Sequence, residues 1–234
     1  PEEAEVALAE GADGIGLFRT EFLYMAQSSA SLNAAARSFS EQTQFEAYKS
    51  VLQIMGNKPV TIRTLDAGGD KLINSVDLPN IEEKNPLMGL RAVRLSLEYP
   101  NILKTQLRAL FRASVYGNLE IMFPLITSVD QVKECLELVN VVKQELDAEK
   151  IPYQADTPVG IMIETAAAAL ISDCLSKVSD FFSLGTNDLT QYTLGIDREN
   201  QHVSGLYNEF SLAVLRLIEM TVRSAKENNV PLAV

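Results

Sequence analysis

Short, nearly continuous apolar runs alternate along the chain with stretches whose apolar residues recur every three to four positions. The first pattern predicts strands buried on both faces, and the second predicts amphipathic helices. "DGIGLFRTEF" reads as a strand with a polar exit, and "FEAYKSVLQIMG" as a helix with Phe45, Tyr48, Leu52 and Met55 on one face. Ser38 and Glu41 offer that helix a capping box, and Gly56 offers its stop. "PVTIRTLDAGGD" is a second strand ending in a Gly-rich loop. Two helical stretches follow, "NPLMGLRAVRLSLEYP" and "NILKTQLRALFRASVYG". "LEIMFPLI" is a third strand. "SVDQVKECLELVNVVKQELDAEK" is a helix with Ser128 and Gln131 as its capping box. "VGIMIE", "DFFSLG" and "VPLAV" supply three more strands, separated by the helices "TAAAALISDCLSKV" and "LAVLRLIEMTVRSAKENN".

This β–α rhythm predicts an α/β fold with a parallel sheet, either doubly wound or a (β/α)8 barrel, and periodicity alone does not choose between them. The longest irregular stretch, "AQSSASLNAAARSFS", reads as a mobile loop. The chain opens in helical sequence at Pro1 and stops inside the strand-like "VPLAV", so the expectation is a piece of a longer protein. With 234 residues, 47% hydrophobic and 22% charged, the composition is that of a globular domain. The formal net charge of −11 argues against general binding to nucleic acid or anionic membranes. No apolar run is long enough for a membrane span. Cys135 and Cys174 have no metal or CxxC spacing, which fits a reduced, cytoplasmic setting with both as small packing residues.

Polar groups gather at the predicted strand exits: Arg19 and Glu21, Arg63 and Asp66, Glu164, and Asn187 with Asp188. In parallel α/β architectures the carboxyl ends of the strands share the face that carries the active site. Arginine recognises phosphate and carboxylate with a planar fork of donors. Glu164 and Asp188 are hard oxygen ligands suited to Mg²⁺, which takes one or two carboxylates and completes its shell with substrate and water. Together these residues suggest a small phosphorylated acid bound with Mg²⁺. Each has a plainer reading alone. A strand-end arginine is commonly ion-paired at the surface, Glu164 caps the helix beginning at Thr165, and Asp188 caps the helix after it. "DAGGDK" lacks P-loop spacing and reads as a Gly-rich turn carrying Lys71. His202 reads as a solvated loop residue, and Phe181 and Phe182 as core.

The segments "GADGIGLFRTEFLYM", "TIRTLDAGGDK", "NPLMGLRAVRL", "IMFPLI", "VGIMIE" and "FFSLGTNDLTQYTLGIDREN" resemble, in order, the motifs of the phosphoenolpyruvate–protein phosphotransferases, Enzyme I of the bacterial sugar phosphotransferase system. Several are shared with pyruvate phosphate dikinases and phosphoenolpyruvate synthases, whereas "LDAGGDK" and the "DR" after "TNDLTQYTLG" favour Enzyme I. The resemblance implies a phosphoenolpyruvate-binding domain over residues 1–234, a (β/α)8 barrel lacking its first strand and its last one or two. It implies phosphate binding by Arg19 and Arg63, and Mg²⁺ held by Glu164 and Asp188. It also implies substrate contacts from Asn187, Asp188 and Arg198, with Arg91 and Lys71 as supporting cations.

The implied partners are phosphoenolpyruvate, an N-terminal phosphohistidine domain of the same parent, a histidine-containing phosphocarrier protein and a second copy of the chain. The family's phosphohistidine, and the cysteine that protonates the enolpyruvate, match neither His202 nor Cys135 nor Cys174. No catalytic residue of that kind is therefore expected in this chain, which is expected to be inactive alone. Near Ser211 the family carries His-Pro or Ser-Pro before the helix, and this chain has "FSLAV". Two other readings fit the same residues: a fragment of a dikinase or synthase, and a non-catalytic phosphoenolpyruvate-binding or dimerisation module.

Overall fold

The computed structural model describes residues 2–25, 40–68 and 83–234 of the protein. The expected mobile loop apart from its last residue, the predicted cap Ser38, and Lys71 lie outside them. The chain forms two compact units, Pro1–Met122 with Glu134–Pro158, and Phe123–Lys133 with Val159–Val234.

The first unit starts with α1 (Glu2–Ala9), whose first turn carries Glu2, Glu3 and Glu5 at the positive end of the helix. Strand β1 (Ile15–Arg19) runs into the short helix α2 (Glu21–Met25). Helix α3 (Glu41–Met55) buries Phe45, Tyr48, Val51, Leu52 and Met55, the face the spacing predicts. Its cap is Ser40, whose side chain accepts from the Thr43 amide. It stops at Gly56, where φ is 62° and the amide donates to the Leu52 carbonyl at 2.9 Å. Strand β2 (Pro59–Arg63) follows. A 3₁₀ turn at Pro86–Met88 then leads into α4 (Ala92–Glu98) and α5 (Pro100–Ala113), so the first predicted helical stretch is helical only in its second half. Strand β3 (Asn118–Phe123) leads toward helix α6 (Val129–Glu149).

The strands are parallel, β1 to β2 and β2 to β3. The register sets Arg19 beside Arg63 and Arg63 beside Met122. Val60, Ile62, Leu119 and Ile121 fill the sheet layer, and Leu103, Leu107, Leu110 and Phe111 pack from α5. At the start of α6 only half of the expected capping box forms. The Gln131 amide donates to the Ser128 hydroxyl, but the Gln131 side chain accepts from Thr127 instead of Ser128.

The second unit contains β4 (Val159–Ile163), α7 (Ala166–Leu170), α8 (Ser172–Leu175), β5 (Phe182–Leu184), α9 (Thr186–Leu194), α10 (Leu212–Glu227) and β6 (Leu232–Ala233). Its strands are also parallel, β4 to β5 and β5 to β6. The helix predicted over 165–178 is broken at Ile171, whose φ of −111° and ψ of 21° leave the helical region. Ser211 caps α10 by accepting from the Val214 amide, so the helix enters through a hydroxyl cap without the family's proline. Phe181 and Phe182 are core, as expected. Among the described residues no helix is long and apolar enough to cross a membrane.

The two thiols differ from each other: Cys135 packs as expected, and Cys174 does not. Cys135 is fully buried, and burial pushes its pKa up to about 12. Cys174 is exposed on α8 and does not pack. At pH 8 Cys135 carries about a thousandfold less thiolate than an unperturbed thiol. The native protein is therefore expected to react rapidly with one equivalent of a colorimetric disulfide reagent, and with a second only after denaturant is added. Two fast equivalents from the native protein would contradict the burial of Cys135.

Candidate functional site

The polar exits of β1 and β2 form one ion-pair chain in the first unit. Arg63 closes β2 and is buried, with 6% of its surface exposed. Its Nη2 donates to Glu21 Oε1 at 3.3 Å, and its Nη1 pairs with Asp66 Oδ2 at 3.0 Å. Glu21 Oε2 accepts from Arg19 Nε at 3.3 Å, and Glu21 Oε1 also accepts from the Asp66 amide at 3.0 Å. Asp66 Oδ1 binds Arg91 Nη2 at 2.6 Å. The order among the described residues is thus Arg19, Glu21, Arg63, Asp66, Arg91, three cations alternating with two carboxylates. The side chain of Arg19 is 53% exposed, and the Phe22 ring covers its guanidinium at 5.5 Å.

A buried polar network supports the backbone at this site. The fully buried Gln106 on α5 accepts from the Leu65 amide at 2.9 Å and donates to Tyr48 Oη at 3.0 Å and Thr20 Oγ1 at 3.3 Å. Thr20 in turn donates to the Arg63 carbonyl at 3.0 Å. Arg91 precedes Ala92, which is fully buried at a φ of 52° and donates its amide to the Ala67 carbonyl. A non-glycine residue persists in this left-handed region only where its surroundings enforce it. The bridge between Gly68 and Arg91 helps to do so.

In the second unit the predicted carboxylates gather at the ends of β4 and β5. Glu164, directly after β4, is only 2% exposed. Its Oε1 accepts from the Leu125 amide at 2.6 Å. Leu125 is itself buried at a φ of 55°. Helix capping falls to Thr165, which accepts from the Ala168 amide, so Glu164 is not the cap. The Gly185 amide donates to the Ile163 carbonyl at 3.1 Å, which brings the exit of β5 against Glu164. Helix α9 begins at Thr186, earlier than expected, so Asp188 lies inside its first turn and is not its cap. Asp188 Oδ1 pairs with Arg198 Nη1 at 3.3 Å, and the Arg198 amide is held by Gln191 Oε1 at 3.1 Å. Asn187 is exposed in the same turn, and its carbonyl accepts from Tyr207 Oη. His202 is exposed in the loop beyond.

No cluster of three or more His, Cys, Asp or Glu with metal-site geometry occurs among the described residues. The donor set still suits Mg²⁺, because that ion binds through one or two carboxylates and takes its remaining oxygens from ligand and water. Glu164 and Asp188 are two carboxylates of this kind, one directly after β4 and one in the first turn of α9.

The family model for "PEP-utilising enzyme, PEP-binding domain" matches residues 1–234. The chain belongs to this family. Its relatives include the protein named phosphoenolpyruvate-protein phosphotransferase from Priestia megaterium, 46% identical over 225 residues. The protein of the same name from Mycoplasma genitalium is 47% identical over 228 residues. The alignments cover 96% and 97% of this chain but 38% and 37% of those relatives, so the chain spans well under half of their length. A citrate lyase from Burkholderia xenovorans superimposes over 83% of this chain and 61% of its own, with a TM-score of 0.49 and 16% identity, too distant to carry an argument.

Phe22, Gln106 and Leu125 were not among the site residues expected from the sequence, and Glu21 was expected at the site without an assigned role. Glu21 was visible as a strand-exit acid. Gln106 also had a signal, since it lies on the apolar stripe of α5, three residues after Leu103 and four before Leu110. Leu125 had none, because nothing in "FPLI" marks a left-handed backbone.

Proposed function

We propose that this chain is the phosphoenolpyruvate-binding part of a phosphoenolpyruvate–protein phosphotransferase, one domain built on part of a (β/α)8 barrel. The observation that carries the reading is the arginine cluster at the ends of β1 and β2, with Arg63 buried between two carboxylates. An anion with several acceptor oxygens fits the fork geometry of the guanidinium groups. The names of the relatives support phosphoenolpyruvate as that anion.

In this reading Arg19 and Arg63 bind the phosphate. Arg198 and Asn187 contact the rest of the substrate, including its carboxylate, and Arg91 and Lys71 add positive charge. Glu164 and Asp188 hold Mg²⁺, which when bound supplies charge neutralisation at the phosphate and enolate oxygens. The residues of this chain bind and orient, which is most of what phosphoryl transfer asks of a protein. The bond between phosphorus and the enol oxygen breaks as phosphorus bonds to a histidine nitrogen on another domain of the parent. The enolate then takes a proton to become pyruvate. The phosphoryl group passes on to a histidine-containing phosphocarrier protein, in a dimeric, cytoplasmic parent that starts a sugar-uptake relay.

Titration calorimetry with phosphoenolpyruvate and Mg²⁺ tests the reading. The wild-type protein is expected to bind, and Arg63→Ala to bind at least about thirtyfold more weakly, as loss of a buried charge partner implies. Equal affinity for the two proteins would overturn the site.

A further inference from the structure

Glu21 touches both arginines assigned to the phosphate. It gives one carboxylate oxygen to each, Oε2 to Arg19 Nε and Oε1 to Arg63 Nη2, both at 3.3 Å. Its Oε1 is fixed in turn by the Asp66 amide, and the residue is 7% exposed. Two guanidinium groups side by side repel each other, and burial of Arg63 strengthens that repulsion. A carboxylate between them offsets it and sets their spacing. Glu21 engages only the Nε edge of Arg19, while Phe22 covers its face. Among the described residues, Arg19 Nη1 and Nη2 have no partner. This leaves Arg19 with a donor pair for a ligand and a fixed stem.

We propose that Glu21 is the positioning residue of the phosphate site, holding Arg19 and Arg63 at the separation and angle at which both bind one phosphate group. This rests on the functional reading above. It also gives the first turn of α2 a purpose: Glu21 and Phe22 are consecutive residues that grip the same guanidinium from its edge and its face.

The test is a double-mutant cycle in phosphoenolpyruvate affinity, measured by calorimetry with Mg²⁺ present. Glu21→Gln keeps the size of the side chain and removes its charge, and is expected to weaken binding about tenfold. Glu21 acts partly through Arg19, so the same substitution in an Arg19→Ala background is expected to cost about threefold or less. A purely structural role would not generate this coupling. If Glu21→Gln does not fold, Glu21→Asp keeps the charge but is one methylene too short to reach both arginines, and is expected to weaken binding about fivefold. Wild-type affinity in the variant that folds, or effects of Glu21→Gln and Arg19→Ala that simply multiply, would overturn the proposal. Absence of binding by the wild-type protein would instead overturn the functional reading, so the two failures are distinguishable.

Discussion

Gly185→Ala is expected to abolish detectable Mg²⁺-dependent binding of phosphoenolpyruvate and to destabilise the protein by about 1–3 kcal/mol, the usual cost of forcing an extra methyl group into a packed site. A Cβ at position 185 would lie 2.7 Å from Glu164 Cβ, 2.9 Å from Glu164 Oε2 and 2.9 Å from Met162 Sδ. Such approaches require something to move. The backbone has little freedom to do so, because the Gly185 amide is tied to the Ile163 carbonyl and α9 starts at the next residue. Glu164 must therefore turn away, against the 2.6 Å hydrogen bond from the Leu125 amide. The carboxylate assigned to the metal is the group displaced, so binding should suffer more than stability. Calorimetry paired with urea denaturation separates the two effects. Gly16→Ala in β1 is the control, since a Cβ there meets nothing within 4 Å. Wild-type affinity in Gly185→Ala would show that the Glu164 carboxylate is not held where the ligand needs it.

The strands and their polar exits were legible because a parallel strand buried on both faces leaves a short apolar run with an abrupt polar end. "TIRTLD" and "VGIMIE" show that signature: Arg63 ends β2 and Glu164 directly follows β4. What holds those groups was less legible, because it depends on register and backbone conformation. The neighbourhood of Arg19 and Arg63 follows from a pairing register that slips between Ile15 and Phe18, which alternation along "GIGLFR" does not reveal. The support of Glu164 comes from a left-handed Leu125, a conformation that sequence marks reliably only when the residue is glycine or asparagine. Local competition explains the smaller misses. Ser40 replaced Ser38 as a cap because several hydroxyls precede the same helix. The Ala-rich helix broke at Ile171, and Cys174 came to the surface after the break. Helical spacing from Thr165 onward reads as continuous and gives no sign of it.

Gln106→Leu is expected to cost about 2–4 kcal/mol of stability, more than any surface substitution in the chain, although leucine matches the apolar stripe of α5. The amide of Gln106 is an acceptor for one buried donor and a donor to two buried hydroxyls, Tyr48 and Thr20. Leucine leaves the Leu65 amide without its acceptor in a region closed to water, and an unmade buried hydrogen bond costs far more than a made one contributes. The Tyr48 and Thr20 hydroxyls keep their own acceptors, Gln44 Oε1 and the Arg63 carbonyl, so most of the loss should come from Leu65. Tyr48→Phe, which removes one hydroxyl and leaves Leu65 paired, is accordingly expected to cost only about 1 kcal/mol. Urea denaturation of the wild-type protein and both variants measures the difference, and a Gln106→Leu midpoint equal to that of the wild type would refute the network. The effect should extend to binding. Leu65 and Thr20 follow the two phosphate-assigned arginines by two residues and one residue, so the backbone that aims both side chains is anchored through this amide. A Gln106→Leu protein that still folds should therefore bind phosphoenolpyruvate more weakly than Tyr48→Phe does, even at a temperature where both are fully native.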